Sequence, residues 1–209
     1  MLGTQNLPLF ITSAVLLNLT PGQDTMYILG RGVSPGRAAA VISALGISCG
    51  CMVHTLAAAL GFSAVLATSA AAFQAVKWAG ALYLIYLGLR MLTARRAPGA
   101  STAPPPAADR WTIYRQAVLT NLLNPKVALF FLAFLPQFVD PATTHRAISF
   151  LFLGACFIFT GTCWCLVLAC ASGAISRLLR RTGAAQAMDR LAGGLFVLLG
   201  VRLAIARPQ

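Results

Sequence analysis

Apolar stretches long enough to cross a bilayer follow one another along almost the whole chain, and short polar or basic connections separate them. A membrane-spanning helix needs about 20 predominantly apolar residues. The pattern predicts six such helices, over about residues 7–30, 38–66, 73–92, 115–139 and 147–175, with the sixth ending near residue 205. We therefore expect an all-α polytopic membrane protein without a separate soluble domain.

A segment rich in Pro, Ala and Ser interrupts this pattern near the middle of the chain. Residues 93–109 include the run Pro104-Pro105-Pro106, and such a composition is typical of a linker. It divides the chain into a first half, 1–92, a linker, 93–112, and a second half, 113–209. Each half holds three predicted spans, so the second half must enter the membrane from the opposite side, as in transporters built from inverted repeats.

A short internal similarity supports two inverted three-helix repeats. Residues 14–19 read AVLLNL and residues 117–122 read AVLTNL, which is five identities in six positions. Pro21 follows the first segment and Pro125 follows the second. The similarity therefore falls on the first span of each half.

The charges of the connections predict how the chain is oriented. The chain has 16 Lys and Arg residues against four acidic residues, a net charge of +12. Because the basic residues cluster between apolar stretches, we interpret them as topology determinants and lipid anchors, not as a nucleic-acid surface. If the N-terminus is outside, the cytoplasmic connections, beginning with residues 31–37, hold eleven basic residues and the outer ones four. We predict a bacterial inner-membrane protein with both termini in the periplasm.

The residues that usually carry enzyme chemistry are scarce. The six cysteines all lie inside apolar stretches without a C-x-x-C pair, and we interpret them as packing residues and not as a disulfide framework or zinc site. The sequence contains no Walker loop, no H-E-x-x-H motif and no nucleophile elbow. We therefore expect neither an enzyme nor coupling to ATP, and no cofactor and no resident metal.

Prolines interrupt the first and the fourth predicted spans. Pro21 and Pro125 each remove a backbone donor, and the carbonyls that are freed need partners within the protein because lipid offers none. Polar or small residues surround both breaks: Asn18, Thr20, Gly22, Asp24, Asn121, Asn124 and Lys126. Each break starts a new helical segment whose N-terminus carries partial positive charge, so the two ends could hold a substrate carboxylate. The alternative is that the prolines only kink the helices.

Three ionisable side chains are predicted within the membrane. Asp24 and Lys126 would each cost at least about 2.5–3.5 kcal/mol there, so they either form a structural ion pair or line a cavity that accepts the charged groups of a substrate, or protons. His54 shares a helix face with Gly46 and Gly50, small residues that allow close helix packing. It is either a hydrogen-bonded packing residue or, together with Asp24, a candidate for proton coupling.

These motifs also resemble those of a known family. The segment TPGQDT at residues 20–25, its continuation to Arg31, the SPGR of residues 34–37 and the spacing of residues 46, 50 and 54 are similar to the LysE/RhtB family of amino-acid exporters. So are NPKVALFF at residues 124–131 and LPQF at residues 135–138. One departure is Gln23, where the family frequently has a second proline.

The resemblance implies a secondary exporter of amino acids or close derivatives, driven by the proton gradient. It leaves open which amino acid is exported, although a single candidate intramembrane acid, Asp24, favours a neutral one. It also leaves open the oligomeric state, and a homo-oligomer is compatible with the sequence. The alternatives are export of another small solute or of a soft metal ion, since Cys49, Cys51 and His54 share one span. Cys49 and Cys51, however, point about 200° apart on a helix.

Overall fold

The computed structural model describes residues 3–33, 36–68, 108–140 and 142–175, with separate positions between 78 and 93 and between 190 and 205. Its helices are α1 (Leu7–Leu19), α2 (Gln23–Val33), α3 (Arg37–Thr68), α4 (Arg110–Leu122), α5 (Pro125–Phe138) and α6 (Arg146–Cys170). In the described residues, the only β pairing is an isolated bridge between Thr4 and Val139. The predicted all-α class is confirmed.

Two of these helices are long and apolar enough to cross a membrane alone. The first candidate span is Arg37–Gly61 within α3, and the second is α6, Arg146–Cys170; each has 25 residues. Helices α4 and α5 together form a third candidate span, bent by 46° where they meet. Large apolar side chains face outward on these helices, including Leu60, which is 75% exposed, and Phe159, which is 71% exposed. Such a surface is suited to lipid and not to water.

Only separate positions of the predicted third and sixth spans are described, and most of the linker lies outside the described residues. The positions described within the two spans are helical, and they approach each other closely at glycines. A Cβ atom on Gly193 would lie 2.7 Å from the Gly88 carbonyl oxygen, and one on Gly200 would lie 2.8 Å from that of Ala81. The arrangement of six spans as two inverted repeats stays a prediction.

Both interrupted helices break at the predicted prolines. Helix α1 ends at Leu19, Thr20 is extended with φ −68° and ψ 120°, and α2 begins beyond Pro21 at Gln23. Pro125 occupies the first turn of α5, where its missing N–H has no helical partner to lose. Asn124 caps this turn, because its side chain accepts a hydrogen bond of 3.1 Å from the backbone N–H of Lys126.

Helix α5 changes its winding along its length, which the sequence pattern did not predict. It is α-helical over Pro125–Leu129, π-helical over Phe130–Phe134 and a 3-10 helix over Leu135–Phe138. Pro136 cannot donate to the preceding turn, and the wider π turn changes which side chains share a face. As a result Phe130, Phe131, Phe134 and Phe138 are all buried, and Phe130 stacks on Phe157 of α6 with ring centroids 4.8 Å apart.

The two interrupted helices run in opposite directions. At one end of the molecule, the Gln5 N–H donates to the Phe138 carbonyl at 2.9 Å, so the start of α1 lies beside the end of α5. At the other end, the Tyr27 hydroxyl donates to the Ile113 carbonyl at 3.0 Å and Arg31 donates to Gln116, so the second half of α2 lies beside the first half of α4. The two breaks therefore meet in the middle.

The prediction that Arg31 belongs to a connecting loop was wrong. Helix α2 continues to Val33, and Arg31 is only 2% exposed. Its Nη2 donates to Gln116 Oε1 on α4 at 2.7 Å, and its guanidinium lies 5.5 Å from the centre of the Tyr27 ring. A guanidinium can be buried where an amide oxygen and an aromatic face receive it. Tyr27 lies one helical turn before Arg31, but Gln116 belongs to another helix, and the local sequence around Arg31 does not reveal it.

Candidate functional site

The two breaks exchange polar contacts across their meeting point. The Lys126 ammonium, at the start of α5, donates to the carbonyl oxygens of Leu17 and Thr20 at the end of α1, at 2.8 Å and 2.7 Å. In the other direction, Asn121 Nδ2 at the end of α4 donates to Asp24 Oδ2 in the first turn of α2 at 2.8 Å. Each broken helix thus supplies a polar partner to the other.

The contacts of Lys126 follow from the missing N–H of Pro21. In a continuous helix the N–H of residue 21 would donate to the carbonyl of Leu17, four residues earlier. The Lys126 ammonium takes that place. Part of the role of Lys126 is therefore to satisfy the backbone at the first break.

The second break has a corresponding arrangement. Pro125 cannot donate to the Asn121 carbonyl, which instead accepts from the Asn124 N–H at 3.0 Å and lies 3.4 Å from His54 Nε2. The His54 ring also stacks on Phe131 at 5.7 Å. An ionisable side chain therefore contacts the carbonyl freed at each break, lysine at the first and histidine at the second.

Asp24 retains an unused acceptor. Its Oδ1 atom is buried and has no hydrogen-bond partner among the described residues, while Oδ2 bonds to Asn121. The Asn124 side chain also faces this carboxylate, and Lys126 and His54 act on it electrostatically. Leaving a buried polar atom unpaired costs about 1–3 kcal/mol, and more when it is charged. Such an atom in a native structure requires an explanation, and a bound water, ion or ligand is one.

The structure also bears on the ion pair that the sequence left open. The Asp24 carboxylate accepts its hydrogen bond from Asn121 Nδ2. The ammonium of Lys126 is directed to the end of α1. The hydrogen bonds of the Asp24 carboxylate and of the Lys126 ammonium therefore join these neighbouring groups to different residues.

A small cavity of about 40 Å³ lies beside the two breaks. It has room for only a few water molecules, since one needs about 10–15 Å³ by this measure. The predicted site residues that line it are Asn18, Thr20, Gly22, Asp24, Asn124 and Lys126. The predicted residues Pro21, Asn121, Pro125 and His54 are not among those that line it.

The sequence interpretation missed a wall of the cavity that α3 and α6 provide. Ser48 and Thr162 share a hydrogen bond of 2.7 Å between their hydroxyl groups, and Asn18 Nδ2 donates to Thr160 Oγ1 at 3.2 Å. Trp164 also lines the cavity, and in the described residues its buried Nε1 has no hydrogen-bond partner. The sequence feature that could have indicated this wall is the triplet Thr-Gly-Thr at residues 160–162, in the middle of the fifth apolar stretch.

Gly46 and Gly50 bring α3 close to α4. A Cβ on Gly46 would lie 2.6 Å from the Tyr114 carbonyl oxygen, and one on Gly50 would lie 2.6 Å from Asn121 Oδ1. Both are shorter than real side chains tolerate, so the contact depends on glycine at these positions. The close packing positions Asn121, and through it the bond to Asp24.

In the part of the chain that the structure describes, the cysteines do not form a metal cluster with ionisable side chains. All six are free thiols, and only Cys51 and Cys165 are buried. No three His, Cys, Asp or Glu side chains come together among the residues described.

The chain is similar to known membrane proteins along nearly its full length. The sequence model of the LysE type translocator family matches residues 15–207. A homoserine/homoserine lactone efflux protein of Salmonella typhimurium is 30% identical, over 95% of this chain and 95% of its own length. An uncharacterized membrane protein of Vibrio cholerae is 31% identical, over 95% of this chain and 96% of its own length. Another, from Pseudomonas aeruginosa, is 33% identical, over 98% of this chain and 97% of its own length.

No solved structure shows a significant match to the chain. The match to the family model confirms the resemblance that the two proline-centred motifs indicate, and it covers both breaks and the residues that line the cavity beside them. Members of this family are transporters and not enzymes. The chain therefore belongs to the LysE type translocator family, and it is an integral membrane exporter.

Proposed function

We propose that the protein exports a neutral amino acid, or a close derivative, across the bacterial inner membrane in exchange for protons. The observation that carries this proposal is the unpaired, buried Oδ1 of Asp24 beside the polar cavity. An anionic acceptor at membrane depth is complementary to an ammonium group. The efflux of homoserine and its lactone by the Salmonella relative agrees with a substrate that carries one.

In this proposal the substrate is held between the two breaks. Asp24 Oδ1 accepts from the substrate ammonium, while the carboxylate binds near the first N–H groups of α2 and the Lys126 ammonium. Asn18, Thr20, Gly22 and Asn124 form the polar surroundings, and Pro21, Pro125 and Asn121 maintain the shape of the site. A cavity of about 40 Å³ is too small for an amino acid, so the helices must separate during the transport cycle.

Proton coupling follows if a proton and the substrate ammonium compete for Asp24. A proton that binds from outside would displace the ammonium and neutralise the carboxylate, and its release inside would restore the acceptor. His54 is the second titratable group, because it contacts the Asn121 carbonyl at 3.4 Å while the Asn121 side chain donates to Asp24. Asn121 would thus connect the two groups.

The same proposal includes the architecture. The first half, 1–92, and the second half, 113–209, would be inverted three-helix repeats joined by the linker 93–112. The opposite directions of the two broken helices and the exchange of polar contacts between their breaks support this arrangement. The exposed apolar side chains would contact membrane lipid.

The orientation can be tested by cysteine labelling. We expect a membrane-impermeant maleimide to label Thr144→Cys in intact cells, and to label Ala108→Cys only after the inner membrane is permeabilised. Residue 144 is exposed beside the end of the molecule that holds the N-terminus, and residue 108 precedes α4 at the other end. The unmodified protein, with its six cysteines, gives the background. Labelling of Ala108→Cys in intact cells would contradict periplasmic termini.

The function itself can be tested with purified protein in liposomes. Vesicles would be loaded with a panel of basic, neutral and branched amino acids, and a pH gradient would be imposed. We expect movement of at least one neutral amino acid against its gradient, abolished by a protonophore. Zinc and copper(I) are tested in parallel, and transport of a metal without any amino acid would favour the alternative function.

A further inference from the structure

Trp164 of α6 is a buried donor that the proposed binding of ammonium and carboxylate does not use. Its Nε1 is buried beside the cavity without a hydrogen-bond partner in the part of the chain that the structure describes. An indole N–H can only donate, so a ligand atom that pairs with it must be an acceptor. A substrate ammonium is excluded, because it also only donates.

The residues that α3 and α6 contribute to the cavity wall, Trp164 among them, include no charged side chain. The cavity residues contributed by α3 and α6 include the hydrogen-bonded hydroxyls of Ser48 and Thr162 and the thiols of Cys51 and Cys165. The charged groups belong to the two breaks, on α2 and α5. A carboxylate is therefore better matched beside Lys126, and a neutral oxygen is better matched beside Trp164.

We propose that the indole N–H of Trp164 donates a hydrogen bond to an oxygen atom in the side chain of the exported solute, and so selects oxygen-bearing side chains over alkyl side chains. This inference rests on the proposed function. Ile47 and Phe157 also line the cavity and would contact the alkyl part of such a side chain. A site that binds a substrate oxygen discriminates against an analogue without it, because the buried donor is then left unpaired.

The test compares homoserine with norvaline, in which a methyl group replaces the hydroxyl. Transport of each is measured as kcat/KM in liposomes under the same pH gradient. We expect the unmodified protein to prefer homoserine by at least about tenfold. The Trp164→Phe variant keeps an aromatic ring and removes the N–H, so we expect it to lower this preference by about tenfold. The matched control is Trp111→Phe: Trp111 is 64% exposed at the start of α4, so its replacement should leave the preference unchanged.

Each other outcome contradicts the inference. An unchanged preference in Trp164→Phe would mean that the N–H does not select the substrate, and an equal loss for both amino acids would mean that it binds a group that both share. Equal transport of both by the unmodified protein would overturn the inference even if the variant fails to insert, while amino-acid export itself would stand. Transport of neither, nor of any other amino acid in the panel, would overturn the proposed function as well.

Discussion

Replacing Asp24 by asparagine should lower proton-driven export by about 10- to 100-fold while the protein still inserts and folds. The variant loses a charge-assisted hydrogen bond to the substrate ammonium, which contributes about 1.5–3 kcal/mol, and it loses the group at which proton and substrate compete. Asparagine keeps an oxygen that can accept from Asn121 Nδ2, as Asp24 does at 2.8 Å. Removing a charge at membrane depth lowers the cost of insertion.

The measurement is the initial rate of export in liposomes over a range of imposed pH gradients. Asp109→Asn is the matched control, since Asp109 caps α4 from an exposed position and asparagine caps equally well. Hydrogen bonds from the backbone N–H and the hydroxyl of Thr112 hold the pKa of Asp109 below its usual range, so it stays ionised at the pH of the assay. Normal pH-driven export by Asp24→Asn would show that Asp24 has only a structural role.

Replacing Lys126 by methionine should both destabilise the protein and reduce export to less than about a tenth. The change removes the donor to the carbonyls of Leu17 and Thr20, which are 2.8 Å and 2.7 Å from the ammonium. The Leu17 carbonyl keeps the Thr20 N–H at 3.2 Å, whereas the Thr20 carbonyl loses the ammonium at a cost of about 1–3 kcal/mol. We therefore expect the melting temperature in detergent to fall by about 3–10 °C. The first break would also lose the group that connects it to α5.

A double mutant separates this explanation from a structural ion pair. If Lys126 stabilises the fold mainly through the backbone carbonyls, Lys126→Met should keep most of its cost in the Asp24→Asn background, because only the electrostatic interaction between the two neighbouring charges is lost from it. If instead its main partner is the Asp24 carboxylate, removing that carboxylate first should abolish most of the cost. The melting temperatures of the four proteins in one detergent decide between the two.

The breaks were predictable from the sequence because their causes are local. Pro21 and Pro125 remove a backbone donor wherever they occur in a helix, and the polar residues around them have no reason to be in lipid otherwise. The length and apolar character of α3 and α6 are equally local, so these spans were predicted to within a few residues. The family resemblance rests largely on the two segments around the prolines, together with the SPGR of residues 34–37 and the spacing of residues 46, 50 and 54.

Which residues meet was decided only by the tertiary structure. The sequence placed Lys126 and His54 within the membrane, but their contacts with the freed carbonyls of Leu17 and Asn121 join segments far apart in the chain. The burial of Arg31 depends in the same way on Gln116 of another helix. No spacing within one segment encodes these pairs.

The inner and outer faces of the helices were also beyond the sequence. In a soluble helix the polar face marks the solvent, but in a membrane both the lipid-facing and the interior positions are apolar. Phe157 is 1% exposed and Phe159 is 71% exposed, although both lie in the same apolar stretch of α6.

The sequence alone identified Asp24 and the two prolines as candidate site residues, because these residues are costly in lipid wherever they lie. Trp164 did not stand out, because an indole is acceptable on either face, and only the packing of α6 against its neighbours decided that its N–H is buried beside the cavity.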